Sequence, residues 1–125
     1  MFRSLSIGLL TLALAGPAFA EGDAAKGEKV FKKCKACHAV GDGAKNKVGP
    51  ILNGIIGSPA GAVPEFKYSD ALLAMAEDGL VWDEASMAEF LAKPKKFMKG
   101  TKMTFAGLRK EAQIADVTAY LATFN

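Results

Sequence analysis

Both cysteines and the only histidine of this 125-residue sequence lie in one short stretch, Cys34-Lys35-Ala36-Cys37-His38. Those residue types at that spacing admit three chemistries. The two thiols could form a redox dithiol, all three side chains could bind a metal, or the thiols could anchor a haem while the imidazole ligates its iron. A thioredoxin-like dithiol opens a helix after a strand in an α/β setting, and no segment here has sustained strand alternation. A structural zinc site takes four ligands, usually Cys or His, and the chain has three such residues in all. A disulfide between Cys34 and Cys37 would close a tiny loop and gain little from cross-linking. The haem reading uses every one of these residues. Three apart at the end of a helix, both sulfurs face one side, each placed for a thioether, with His38 next in line for the iron.

Such a centre needs elements to hold it. The first twenty residues do not look like part of them. Arg3, the apolar run Leu5–Gly16 and the small-residue site Ala18-Phe19-Ala20 have the layout of a secretory signal peptide. Residues 1–20 are therefore expected to be a signal peptide cleaved after Ala20, and residues 21–125 the single domain. Without Arg3, the 16 Lys and Arg fall to 15 against 13 Asp and Glu, a formal charge of +2. So small a total means that clustering of charge matters more than its sum.

Helical periodicity dominates the remainder. Gly27, Val30, Phe31 and Cys34 recur at helical spacing after Asp23, a natural N-cap, and this first helix is expected to run directly into the cysteine motif. Ser69 is expected to cap a helix over Asp70–Glu77, and Asp83 one over Glu84–Ala92 that stops before Pro94. A last helix spans about Lys110–Phe124, with Ile114, Val117, Leu121 and Phe124 on one face. Between them lie a Gly- and Pro-rich stretch over about Ala39–Lys67 and a basic loop from Lys93 to Leu108. Loops of that length in a small domain are usually functional. Short helices are marginal without tertiary packing, and small domains often need a cofactor to complete a core. A large apolar cofactor would supply it.

With those stretches in hand, the order GDAAKGEKVFKKCKACH, VGPILNGIIG, EFKYSDAL and AKPKKFMKGTKMTFAGL resembles the class I cytochromes c over essentially all of residues 21–125. The resemblance implies an all-α fold, the small cytochrome c fold, in which about four or five short helices and long loops wrap around one covalent haem c. It implies thioethers at Cys34 and Cys37 and His38 as proximal ligand, and it picks Met103 as the distal one. The residues alone leave Met98, in the same loop, or an open distal position as alternatives, and exclude a second histidine. The resemblance also implies that the Pro50 carbonyl accepts from His38, that Tyr68, Trp82 and Thr101 meet a haem propionate, and that Phe105 covers the haem edge. Gly27, Phe31 and Tyr120 would form the crossing of the first and last helices. On the residues themselves, Gly49-Pro50 also reads as a plain turn, and Tyr68 and Trp82 as ordinary core. Phe90, Ser58 and Leu72 depart from the mitochondrial pattern, which has a tyrosine, an arginine and a polar residue there.

His/Met ligation raises a haem potential relative to more donating axial pairs, and two protein ligands leave no site for substrate. The expected function is thus a soluble periplasmic one-electron carrier and not an enzyme; a haem sensor or peroxidase-like protein with an open distal position is the alternative. Lys32, Lys33 and Lys35 flank the haem motif, and Lys93, Lys95, Lys96, Lys99 and Lys102 flank Met103. Around one haem edge they would form a basic surface that steers acidic redox partners, such as an oxidase, cytochrome complex or dehydrogenase. Nucleic acid is not an expected partner, and a monomer without stable membrane insertion is.

Overall fold

The Asp23 side chain accepts hydrogen bonds from the amides of Ala25 and Lys26, satisfying donors that a helix start leaves unpaired. Helix α1 follows over Ala24–Phe31. It is the first of five helices in the computed structural model, which describes residues 21–125. The expected signal peptide over residues 1–20 lies outside the described residues. Helix α2 is Asp70–Glu77 and α3 is Glu84–Ala92, both with the expected bounds and both capped as expected: Ser69 Oγ accepts from Leu72 at 3.1 Å and Asp83 Oδ1 from Ser86 at 2.8 Å. Helix α4, Pro94–Phe97, is a single turn, and α5 is Glu111–Ala122.

Two expectations about local structure change. The first helix does not run into the cysteine motif. It stops at Phe31, and tight i→i+3 bonds such as Cys34 N–H to Phe31 O at 2.8 Å carry the chain on. The basic loop is not wholly irregular, because Pro94 opens α4 at the position where a missing N–H costs nothing. The all-α architecture itself holds. Among the described residues the only strand-like pairing is an isolated antiparallel bridge between Pro59 and Val81.

The packing centres on α5. Its crossing with α1 is the main helix–helix contact, while α3 packs on both α5 and α4. A Cβ at Gly27 would meet the Asp116 backbone and lie 2.7 Å from Tyr120 Cβ, so only glycine lets the two backbones approach this closely. Phe31 and Tyr120 stack across the same crossing with ring centroids 5.5 Å apart, as the resemblance implied. Phe31, Val117 and Leu121 are buried there, each side chain of that size contributing about 1.5–3 kcal/mol of hydrophobic stabilisation. Thr118 is buried beside them, and its hydroxyl has no partner among the described residues.

Helix α2 is different. It buries none of its residues and contacts no other described helix. It rests on loops and on the central cavity, so its cap carries more of its stability than usual. Substituting Ser69→Ala should lower unfolding stability by about 1 kcal/mol. Chemical denaturation followed by circular dichroism checks this, and an unchanged midpoint would mean that the cap is not what starts α2.

The long Gly/Pro stretch is organised by side-chain amides instead of regular structure. Asn53 pairs with both backbone groups of Gly41, at 2.8 and 3.0 Å. Asn46 accepts from the Ile51 amide at 3.0 Å and donates to Pro64 O at 3.1 Å, joining two parts of the stretch. These bonds give the backbone of an irregular segment the partners it would otherwise lack.

Candidate functional site

Side chains from α1, α2, α3 and α5 and from both loops turn inward around a cavity of about 760 Å³. Cys34, Cys37, His38, Pro50, Tyr68, Trp82, Thr101, Met103 and Phe105, all singled out from sequence, line this one cavity. Its volume lies within the range typical of sites that enclose a cofactor, roughly 300–1,000 Å³. Much of the wall is apolar, with Phe31, Ile55, Trp82, Phe90, Leu108 and Leu121 contributing.

At one side of the cavity the tight turns after α1 present the two thiols and the imidazole. Cys34 and Cys37 are not joined to each other. Burial pushes the Cys34 thiol above its ordinary range; the Lys33 charge opposes this and Cys37 adds to it. A reactive dithiol requires the reverse, a thiol held low by its surroundings. His38 Nδ1 lies 2.7 Å from Pro50 O. A carbonyl can only accept, so Nδ1 carries the proton and Nε2 keeps its lone pair. Burial pushes the imidazole below its ordinary value, against the opposing Pro50 bond, and the Lys47 charge lowers it further. The ring therefore stays neutral at pH 7, as a metal ligand must. Gly49 is buried against it: a Cβ there would fall within the imidazole, 2.7 Å from Nδ1. The Gly-Pro pair is thus the seat of the ring and more than a turn.

The loop after α4 presents Met103. Its amide donates to Thr101 Oγ1 at 3.2 Å, which fixes the backbone that carries the thioether. The four methionines among the described residues are sorted by position. Met103 and Met87 line the cavity. Met98 is 1% exposed, packed in the core and not part of the lining, and Met75 packs against the core from α2.

Tyr68 and Trp82 close another part of the wall. Tyr68 Oη accepts from the Val63 amide at 2.9 Å, so its own O–H remains free to donate. Burial raises the Tyr68 phenol, opposed by the Val63 bond, and keeps that proton on. Trp82 is buried and packs against Phe90 with ring centroids 5.0 Å apart. Ser58, Leu72 and Phe90, the departures noted from sequence, line the cavity too.

Sequence reasoning missed Asn46, another lining residue, whose amide holds Ile51 and thereby the segment that carries the Pro50 carbonyl. A polar residue in a loop carries no pattern of its own; only its position just before Gly49-Pro50 hinted at a role. Donor chemistry and volume both fit a haem: two thiols, one imidazole with a free Nε2, the thioethers of Met103 and Met87, and a large, mostly apolar enclosure.

The family model described as cytochrome c matches residues 24–125. The chain is 56% identical over 101 residues to cytochrome c-550 of Ancylobacter novellus, covering 81% of this chain and 94% of that protein. It is 52% identical over 101 residues to cytochrome c2 of Agrobacterium tumefaciens, covering 81% and 91%. Among solved structures, cytochrome c2 from Rhodospirillum centenum superposes with a TM-score of 0.79 at 44% identity, over 82% of this chain and 98% of that one.

Proposed function

The chain belongs to the cytochrome c family, electron carriers with covalently bound haem c, and we propose that it is a soluble periplasmic one-electron carrier with iron held by His38 and Met103. Export follows from reading residues 1–20 as a signal peptide cleaved after Ala20, with the carrier domain in residues 21–125. No helix among the described residues is long and apolar enough to cross a membrane.

When bound, the haem supplies an iron that accepts and returns one electron. Cys34 and Cys37 would hold the haem through thioether bonds. His38 offers Nε2 to the iron, while Pro50 O holds Nδ1–H, fixes the ring orientation and makes the imidazole a better donor. Met103 offers a neutral thioether, which favours the ferrous state. The apolar wall excludes water and disfavours the extra charge of the ferric centre. Tyr68, Trp82 and Thr101 would be the donors for a propionate, and Phe105 would cover the haem. The observation that carries this reading is that the Cys34–His38 stretch and the distant Met103 line one cavity. A sulfur–iron charge-transfer band in the ferric protein's spectrum, with slow or absent carbon monoxide binding in the ferrous form, is the expected result. Fast binding would instead favour a sensor or peroxidase-like protein.

Lys33, Lys47, Lys67 and Lys102 line the cavity. Lys93, Lys95 and Lys96 line a shallow hollow that shares Thr104 and Phe105 with it. Exposed lysines from distant segments thus line the cavity and the hollow beside it, which suits acidic redox partners such as an oxidase, cytochrome complex or dehydrogenase. Rates with an acidic partner protein should fall by about tenfold or more from low to high salt, because exposed charges more than ~10 Å apart are largely screened at 0.1 M. Stopped-flow rates that stay flat over that range would discard the docking role.

A further inference from the structure

Glu65 is the only non-glycine residue at positive φ among the described residues, with φ +64°. That left-handed conformation costs any residue with a Cβ and persists only where neighbours over-determine it. The neighbours here do. Pro64 O is held by Asn46 Nδ2 at 3.1 Å, and the Val63 amide by Tyr68 Oη at 2.9 Å. Phe66 stands edge-on to Tyr68 with ring centroids 4.9 Å apart. Glu65 is itself exposed, so burial gains nothing from the strain. It is also the one carboxylate among the residues that line the cavity, in company with Lys33, Lys47, Lys67 and Lys102.

We propose that Glu65 is a specificity-determining residue of electron exchange: a fixed negative charge in the lysine rim that pairs with a cationic side chain of the redox partner and so sets the orientation of docking. A uniformly basic opening would attract an acidic surface but would not select its rotation about the opening. One opposite charge, held on a rigid loop, breaks that symmetry and disfavours partners that present a carboxylate at that point. Charge complementarity identifies the partner group as Lys or Arg. The inference rests on the cavity opening being where electrons leave.

The test uses the holoprotein and two small redox reagents, one an anionic and one a cationic metal complex, at low ionic strength. Four proteins are compared: unsubstituted, Glu65→Gln, Glu65→Gly and Glu77→Gln. Glu77 is exposed on α2 and does not line the cavity, so it controls for the change in net charge. Glu65→Gln should raise the rate ratio of anionic over cationic reagent by roughly sevenfold, the order expected when one unit charge several ångströms away in water acts with opposite sign on two singly charged reagents. Glu65→Gly should shift the ratio equally and raise the denaturation midpoint by releasing the strain. Equal ratios in Glu65→Gln and Glu77→Gln, or in Glu65→Gly and the unsubstituted protein, would overturn the proposal while leaving the carrier function intact. An unsubstituted holoprotein that exchanges electrons with neither reagent would overturn the carrier reading itself, and this proposal with it.

Discussion

Replacing Met103 with alanine is expected to lower the reduction potential by a substantial part of the ~0.8 V that axial ligands command, and to make the ferrous protein bind carbon monoxide rapidly. On the proposed ligation the alanine removes the thioether that favours ferrous iron, and no other methionine stands ready to replace it. Met98 is held in the core, 1% exposed, and is not part of the cavity wall. Met87 lines the cavity from α3 but is itself buried, 5% exposed, in a helix with little freedom to advance. The backbone at position 103 should survive the change, because its amide is held by Thr101 Oγ1 and not by the methionine side chain. Fold and ligation are therefore separable: the far-ultraviolet spectrum should be retained while the charge-transfer band disappears. The companion substitution Met87→Ala should leave the band in place and cost stability instead. If Met103→Ala keeps its band and its potential, the iron is held by another residue.

The second large effect concerns the chain without its cofactor. The double substitution Cys34→Ala/Cys37→Ala, purified without bound haem, should lack a cooperative thermal transition and show much reduced helicity. The cavity measures about 760 Å³. An apolar space of that size left unfilled would cost far more than the site of a single truncated core side chain, against a total stability of about 5–15 kcal/mol for a whole domain. Water could fill the space, but the largely apolar wall offers it few partners. Helix α2 would suffer first, since it contacts no other described helix and leans on the cavity through Leu72. The crossing of α1 and α5, built on Gly27, Phe31 and Tyr120, is the part with contacts of its own and the one expected to keep residual helix. Differential scanning calorimetry and circular dichroism decide it: a sharp two-state transition in the double variant would show that the polypeptide supplies its own core.

Much of this was open to reading in the chain because the signals act over short range. The caps at Asp23, Ser69 and Asp83 bond to amides two or three residues on, so the starts of α1, α2 and α3 follow from local sequence. The end of α1 was misread because the apolar spacing of Val30, Phe31 and Cys34 suits a continued helix and a run of tight turns equally well. Helix α4 was overlooked although Pro94 at its first position was a usable signal, since four residues are too few to show a period.

From sequence alone came the local chemistry: two thiols and an imidazole at one spacing, the caps, the lysine clusters, and the need of a short-helix chain for something to fill its core. Tertiary structure alone decided that Met98 stays in the core while Met87 joins Met103 on the cavity wall, that Gly49 must lack a side chain to seat His38, that Asn46 ties the segment after Pro50 to Pro64, and that Glu65 is strained at the rim. The reason lies in range. Caps and motif spacing depend on neighbours a few bonds away, whereas a cavity wall joins Phe31 to Leu121, and which residues meet across that distance is settled only when the helices pack.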